Sequence, residues 1–353
     1  MSRVPIAVFI PSIGTGGAEK QAALLANVLA DEYAVHYVVW EGDWSRSERV
    51  KTLLEKPEIS IYFLKGTFMA KARAFHKILS DHHIQYAFNY LTKCDFVGSL
   101  IEKSSGVKYV YNGIRNSSME WWKVALEWFS HNIISTATIF NSYSGEEVFI
   151  KKGFKAEKCI TIPNCMESLP VPVQRENKAY KRIITVARFH PQKDYETLVR
   201  TVAELVKKRD DVALDIVGCG PLETQIRAWV EDYGIAGIVC FHIDPDNIQD
   251  LLNQADIYLS TSLFEGTSNS IMEAMCACLP VVATDVGDNH FLVKDGVNGR
   301  LNGAGDYVGL SLSVGSLLDD FQMRLDMGAA GYRIIEEKYS LNEFRLNYQK
   351  LLS

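Results

Sequence analysis

The chain has no apolar run approaching the ~18 residues that a membrane-spanning helix needs. Its opening stretch, MSRVPIAVFIPSIGTGG, reads as a strand entering a glycine turn rather than as a signal peptide. Paired cysteines are lacking too. The seven present, Cys94, Cys159, Cys165, Cys219, Cys240, Cys276 and Cys278, are odd in number, scattered and without a CxxC, which argues for reduced thiols in a cytoplasmic protein. Nor is there an excess of positive charge: 37 Lys and Arg against 43 Asp and Glu give a net charge of −6, which speaks against a general nucleic-acid binder. The histidines, the His82 and His83 pair included, show no ligand spacing with cysteine or acid, so zinc is not expected.

What the chain does have is length and alternation. Its 353 residues, 47% apolar and 23% charged, suit two soluble domains, each of roughly 150 to 180 residues. Short apolar strands alternate with helical stretches at residues 6–10, 35–40, 59–63, 86–90, 107–111, 138–140 and 159–162. Residues 166–180, MESLPVPVQRENKAY, carry two prolines and several charges without periodicity and read as a linker. The alternation resumes at 183–187, 214–217, 238–241, 257–260 and 281–283. This pattern predicts an α/β protein of two doubly wound, Rossmann-like domains, 1–165 and 181–338, with ligands at the carboxyl ends of the strands in a cleft between them.

Several segments bring chemistry to those strand ends. After the apolar strand 255–262, FEGTSNSIMEAM sets Glu265 at a loop mouth, turn and cap residues at Gly266, Thr267, Ser268 and Asn269, and Glu273 about one and a half turns into a helix. A helix N-terminus offers free N–H groups to a phosphate, and a carboxylate accepts two hydrogen bonds from a vicinal diol. The pair therefore suits a sugar nucleotide. VARFHPQKDY adds Arg188 and Lys193, a planar fork and a point charge able to neutralise a diphosphate. Gly218 and Gly220 in VGCGPLE, and Gly14, Gly16 and Gly17 in PSIGTGGAEK, keep side chains out of turns where backbone could approach a phosphate. Asp244 and Asp246 form a DxD, but Asp246 precedes NIQDLLNQ and serves as a helix cap.

In this order GGAEK, IPN at 162–164, VARFHPQKDY, VGCGP, FEGTSNSIMEAM and LPVVATDVGDN resemble the retaining nucleotide-sugar enzymes of glycosyltransferase family 4, which have the GT-B architecture. The resemblance spans nearly the whole chain and is most specific in the second half. It implies that Arg188 and Lys193 bind and stabilise the donor diphosphate, that Glu265 faces the donor sugar, and that Glu273 holds the ribose hydroxyls. Backbone at 266–269, Gly218 and Gly220 would contact the donor, with Gly16 and Gly17 meeting its phosphates from the first domain. It further implies a UDP- or GDP-linked donor sugar, no cofactor and no metal, and a final helix at 339–353 that crosses back to the first domain. The chain departs from the family pattern at several points. No sugar-facing histidine follows a strand in the first half, which leaves Asn112, Arg115, Asn116 and Asn164 as candidates for sugar or acceptor contacts. Cys165 and Cys278 stand where glycine is usual, and Phe291 where an acidic residue is usual.

The expected acceptor is a glycan or a polyprenyl-linked saccharide in surface polysaccharide assembly. Residues 65–79, KGTFMAKARAFHKIL, together with Trp121, Trp122 and Trp128, could lie peripherally on an anionic membrane face, or the helix could simply bury one side on its sheet. Three other readings stay open. An NAD-dependent oxidoreductase would use Gly14, Gly16, Gly17 and Glu41 but leave Arg188, Lys193, Glu265 and Glu273 without purpose. A sugar-nucleotide epimerase would need no acceptor, and a non-catalytic binding protein would show no turnover.

Overall fold

The computed structural model describes residues 3–14, 16–44, 48–116 and 119–352 and divides into two units, Met1–Glu167 with Leu341–Ser353, and Ser168–Ser340. In the first, β1 (Pro5–Ser12), α1 (Gly17–Leu29), β2 (Ala34–Glu41), α2 (Glu48–Leu53), β3 (Ile59–Phe63), α3 (Phe68–Asp81) and β4 (Tyr86–Asn89) are followed by α4 (Leu91–Ser104), β5 (Tyr109–Ile114), α5 (Trp121–Phe129), β6 (Ala137–Phe140), α6 (Tyr143–Lys151) and β7 (Cys159–Thr161). The strands form one sheet in the order β3-β2-β1-β4-β5-β6-β7, every pairing parallel. Runs such as Ile6 to Ile10 are apolar at every position because helices cover both faces.

The second unit contains β8 (Lys181–Val186), α7 (Tyr195–Val206), β9 (Val212–Gly218), α8 (Glu223–Asp232), β10 (Val239–Ile243), α9 (Ile248–Gln254), β11 (Ile257–Ser260), α10 (Asn269–Cys276), β12 (Val281–Thr284), α11 (Asn289–Leu292), β13 (Gly299–Asn302), α12 (Tyr307–Asp319) and α13 (Phe321–Lys338). Its parallel sheet has the order β10-β9-β8-β11-β12-β13. Strand β13 was not anticipated. GRLN has one strongly apolar residue, and the strand exists because Gly299 lets it approach β12, where an added Cβ would lie 2.0 Å from the Val281 carbonyl oxygen. The last helix, α14 (Leu341–Gln349), belongs to the first unit, whose core takes in Phe344, Tyr348 and Leu352.

The stretch expected to be a linker is irregular in backbone, yet from Ser168 onward it belongs to the second unit. Arg175 donates to the carbonyls of Leu252, Ala255 and Ala277, satisfying backbone acceptors at two helix ends. A cluster of buried acids is the other unanticipated feature. Asp95, Glu102 and Glu127 are at most 1% exposed. Asp95 accepts from the Gly113 amide at 2.9 Å and Glu102 from the Asn89 side chain at 2.9 Å. Burial raises all three carboxyl groups, that of Glu102 to about 8.

A candidate donor-binding site in the second unit

Across the carboxyl edge of the second sheet, four strand ends build one cavity of ≈ 440 Å³. From β8 the chain runs through Ala187 and Arg188 into a short turn, Pro191–Lys193, and Asp194 then caps α7 by accepting from the Thr197 amide at 3.3 Å. Asp194 has φ of +48°, a left-handed conformation that aspartate tolerates better than most residues. From β11 the chain runs through Thr261 and Ser262 into α10. The Thr261 hydroxyl donates to the carbonyls of Lys193 and Asp194 at 2.9 and 3.0 Å, which ties the two loops together. The Gln192 side chain donates to the Phe264 carbonyl at 2.7 Å.

Within this frame Lys193 Nζ lies 2.5 Å from Glu265 Oε1, and the Ser262 hydroxyl donates to the same oxygen at 2.7 Å. Both partners are largely buried, with side chains 15% and 8% exposed. Arg188 is exposed, and among the described residues its guanidinium has neither a hydrogen bond nor an ion pair. Ser268 starts α10 without capping it through its own hydroxyl, so the helix presents backbone N–H groups beside Asn269 and Ser270 at the cavity wall. Thr267 donates to Asp288 at 3.1 Å and anchors the loop from behind.

The cavity thus gathers Arg188, Lys193, Gly218, Glu265, Thr267, Ser268, Asn269 and Glu273, the first and last of them 85 residues apart in sequence. Gly220 lies one residue beyond its wall. Glycine is required at both turn positions: Gly218 and Gly220 have φ of +145° and +149°, and an added Cβ would lie 2.0 Å from the Ala187 oxygen or 2.7 Å from the Phe189 oxygen. Gly266 sits between two wall residues. Cavity residues that sequence reasoning passed over are Gln192, Cys219, Asp244, Ile248 and Ser270. Of these, Cys219 and Asp244 stand immediately past a strand end, the one signal in the sequence that could have flagged them.

The first unit treats its candidates differently. Asn112 is 1% exposed, and its amide donates to Ser130 at 2.7 Å and accepts from Ser99 at 2.8 Å and from Asn89 at 3.3 Å. It is therefore held in an interior network and is not exposed to a ligand, a correction to its reading as a contact residue. Arg115 stacks on Tyr90, 4.6 Å from the ring centre, and donates to the Tyr348 hydroxyl at 3.1 Å, so it secures α14. Asn116 is exposed just past β5, and Asn164 is 7% exposed beside Cys165. Gly16 and Gly17 open α1, but the Glu19 carboxylate turns back there: a Cβ on Gly16 would lie 2.3 Å from its Oε2.

Other expectations change in detail. The cap of α9 is Asn247, accepting from the Asp250 amide at 3.3 Å, rather than Asp246. Cys278 does take the left-handed conformation, with φ of +53°, whereas Cys165 does not. Adjacent strands bring Asp215, Cys240 and His242 together, a grouping that spacing along the chain concealed. Arg182 Nη1 contacts both Asp215 oxygens at 2.8 and 2.6 Å and His242 a single one at 2.9 Å, so the carboxylate is already paired.

Residues 171–334, a little under half of the chain, match the family model described as "Glycosyl transferases group 1". The lipopolysaccharide core biosynthesis glycosyltransferase LpsE of Rhizobium meliloti (strain 1021) is 25% identical over 171 residues, 48% of this chain and 49% of that protein. A Campylobacter jejuni enzyme named N-acetylgalactosamine-N,N'-diacetylbacillosaminyl-diphospho-undecaprenol 4-alpha-N-acetylgalactosaminyltransferase is 22% identical over 309 residues, 79% of this chain and 80% of that one. Among the first curated relatives matched, the chain spans only 49% and 39% of two. The crystal structure of Anabaena HepE in complex with UDP superposes with a TM-score of 0.85 at 18% identity, over 99% of both chains. The chain thus has the GT-B fold of solved glycosyltransferases throughout, and residues 171–334 carry the glycosyl transferases group 1 pattern.

Proposed function

We propose that the protein is a glycosyltransferase that moves a sugar from a nucleoside diphosphate sugar to a hydroxyl group of a glycan or lipid-linked acceptor. The observation that carries this reading is the convergence of Arg188, Lys193, Glu265 and Glu273 on one cavity at the strand ends of the second unit. The guanidinium and ammonium offset charge on the departing diphosphate, and the N-terminus of α10 adds its dipole. Glu273 accepts from the ribose hydroxyls, while Glu265, fixed by Lys193 and Ser262, faces the sugar.

The proposed transfer is metal-independent and retains the anomeric configuration. The bond from the anomeric carbon to the β-phosphate oxygen breaks, and its electron pair stays on that oxygen. The acceptor oxygen attacks from the same face, and its proton passes to the leaving phosphate, so no protein base is needed. The names of the relatives, one acting in lipopolysaccharide core synthesis and one on a diphospho-undecaprenol saccharide, support an acceptor in surface glycan assembly.

A peripheral membrane approach is part of this proposal. No helix among the described residues is long and apolar enough to cross a membrane. Helix α3 buries Phe75 and Leu79 on the sheet, leaving Arg73 and Lys77 outside, with Lys65 exposed just before it, while Phe68 and Met69 are exposed at its start and Trp121 is 82% exposed on α5. These are the residue types of an interfacial surface.

Steady-state kinetics test the site. Arg188→Ala lowers kcat by about 100-fold or more, since it removes a donor that acts on developing charge. Glu273→Ala chiefly raises KM for the sugar nucleotide. Unchanged constants in either variant remove that residue's assigned role.

A further inference from the structure

The carboxyl edge of the second sheet presents four strand ends in the spatial order β10, β9, β8, β11. Lys193 and Glu265 hold the β8–β11 end. The other end belongs to Asp244, the first residue after β10, whose amide donates to the Gly218 carbonyl at 3.4 Å. Asp244 lines the same cavity as Glu273 and Lys193. Three inter-strand spacings of ~4.8 Å, roughly 14 Å in all, separate the two ends. A ligand with base, ribose, diphosphate and sugar in line fits that row with its sugar at Glu265 and its base at Asp244.

Two properties mark Asp244. Among the described residues its carboxylate has no hydrogen-bond or ion-pair partner. Its φ is +46°, a left-handed conformation of the kind that gathers at ligand sites. Around it the cavity wall is made by Gly218, which has no side chain, by Cys219, and by Ile248, an apolar surface for the face of a ring.

A carboxylate can only accept hydrogen bonds, through two oxygens side by side. Among the common nucleobases, guanine alone sets two N–H donors next to each other on one edge, at N1 and at the exocyclic amine. Uracil offers one N–H between two carbonyl oxygens, which a carboxylate repels. In adenine and cytosine a ring acceptor stands beside the amine. We propose that Asp244 reads the base of the donor and that the donor is a guanine nucleotide sugar. This rests on the glycosyl-transfer reading above and narrows it to one substrate class.

Isothermal titration of the full chain with GDP, UDP, ADP and xanthosine diphosphate tests this, using the parent protein, Asp244→Asn and Asp244→Ala. A bidentate base contact discriminates by about 10- to 100-fold, so the parent binds GDP at least 10-fold more tightly than UDP or ADP. Xanthine carries a carbonyl where guanine has its amine, so the asparagine amide complements it: Asp244→Asn exchanges the GDP preference for xanthosine diphosphate. Asp244→Ala loses preference for either. UDP or ADP binding as tightly as GDP to the parent overturns the proposal while leaving glycosyl transfer intact. A GDP preference that survives both substitutions overturns the role of Asp244. Absence of binding by any of the four defeats the donor-site reading itself, and this inference with it.

Discussion

Replacing Lys193 by methionine keeps the length of the side chain and removes its charge. The Lys193 side chain is 15% exposed and its ammonium sits 2.5 Å from the carboxylate of Glu265, whose side chain is 8% exposed, so the substitution leaves an acid unpaired in a largely buried place. Breaking a fully buried pair by removing one member costs about 3–5 kcal/mol. The Ser262 hydroxyl still donates to the stranded oxygen at 2.7 Å and some solvent reaches it, so the expected loss is about 2–3 kcal/mol. For a unit the size of Ser168–Ser340, that lowers Tm by roughly 5–10 °C. Glu265→Gln removes the other charge, and the double variant Lys193→Met/Glu265→Gln has neither. Calorimetry on the four proteins then yields a coupling energy, expected at about 1–2 kcal/mol, with the double variant more stable than the sum of the singles implies. Additivity within ~0.3 kcal/mol would show that the two side chains do not sense each other and refute the reasoning. Turnover follows a different course, because the double variant regains stability but still lacks the ammonium on the leaving group. It stays at least about 100-fold slower than the parent.

Gly287→Ala should disable the site from behind: an added Cβ would lie 1.9 Å from the Glu265 carbonyl oxygen at φ of +55°. Gly305→Ala, at φ of +76° with nothing within 4 Å, incurs only the left-handed penalty of about 1 kcal/mol and keeps activity, so equal behaviour of the two would refute the account. Burial holds the Glu102 carboxyl at about 8 in the folded state, although the Asn89 hydrogen bond pulls it down. Against an unfolded value of about 4.3, the folded protein keeps a proton that the unfolded chain releases. Stability from this group is therefore full below that lower value, falls by about 1.4 kcal/mol per pH unit between the two, and levels off above pH 8. Glu102→Gln flattens that part of the pH–stability curve, and an unchanged slope would place the titration elsewhere. In liposome flotation the parent rises with anionic vesicles, and Trp121→Ser/Phe68→Ser rises less. Equal recovery with neutral vesicles, or no binding to either, contradicts a basic interfacial surface.

Much of the fold was legible in the sequence because a parallel sheet covered on both faces demands uninterrupted apolar strands. Twelve of the thirteen strands overlap stretches such as IAVFI and IYLS that carry this signature. The thirteenth, GRLN, depends on a close approach that only its glycine permits, and no local pattern announces it. Residues of the site were legible where chemistry and position coincide: Glu265, Glu273, Arg188 and Lys193 follow strands within recognisable segments and meet in one cavity. Asn112 stands in the segment where the family pattern has its sugar-facing histidine, and only the fold shows that Ser99, Ser130 and Asn89, from three other segments, satisfy its amide inside the protein. Arg175 lies in a segment whose composition reads as linker, and nothing nearby in sequence reveals that its partners lie 77 to 102 residues away. Asp244 was passed over as half of a DxD, and only the order of the strands puts it in the wall of the cavity.

A crystal structure of the protein soaked with its nucleoside diphosphate sugar shows whether the donor lies among the side chains of Arg188, Lys193, Glu265 and Glu273. Diphosphate oxygens are expected within hydrogen-bonding distance of Arg188 and Lys193, with the ribose hydroxyls on Glu273 and the transferred sugar against Glu265. A diphosphate bound elsewhere in the protein, with these four side chains out of contact with it, would contradict the account.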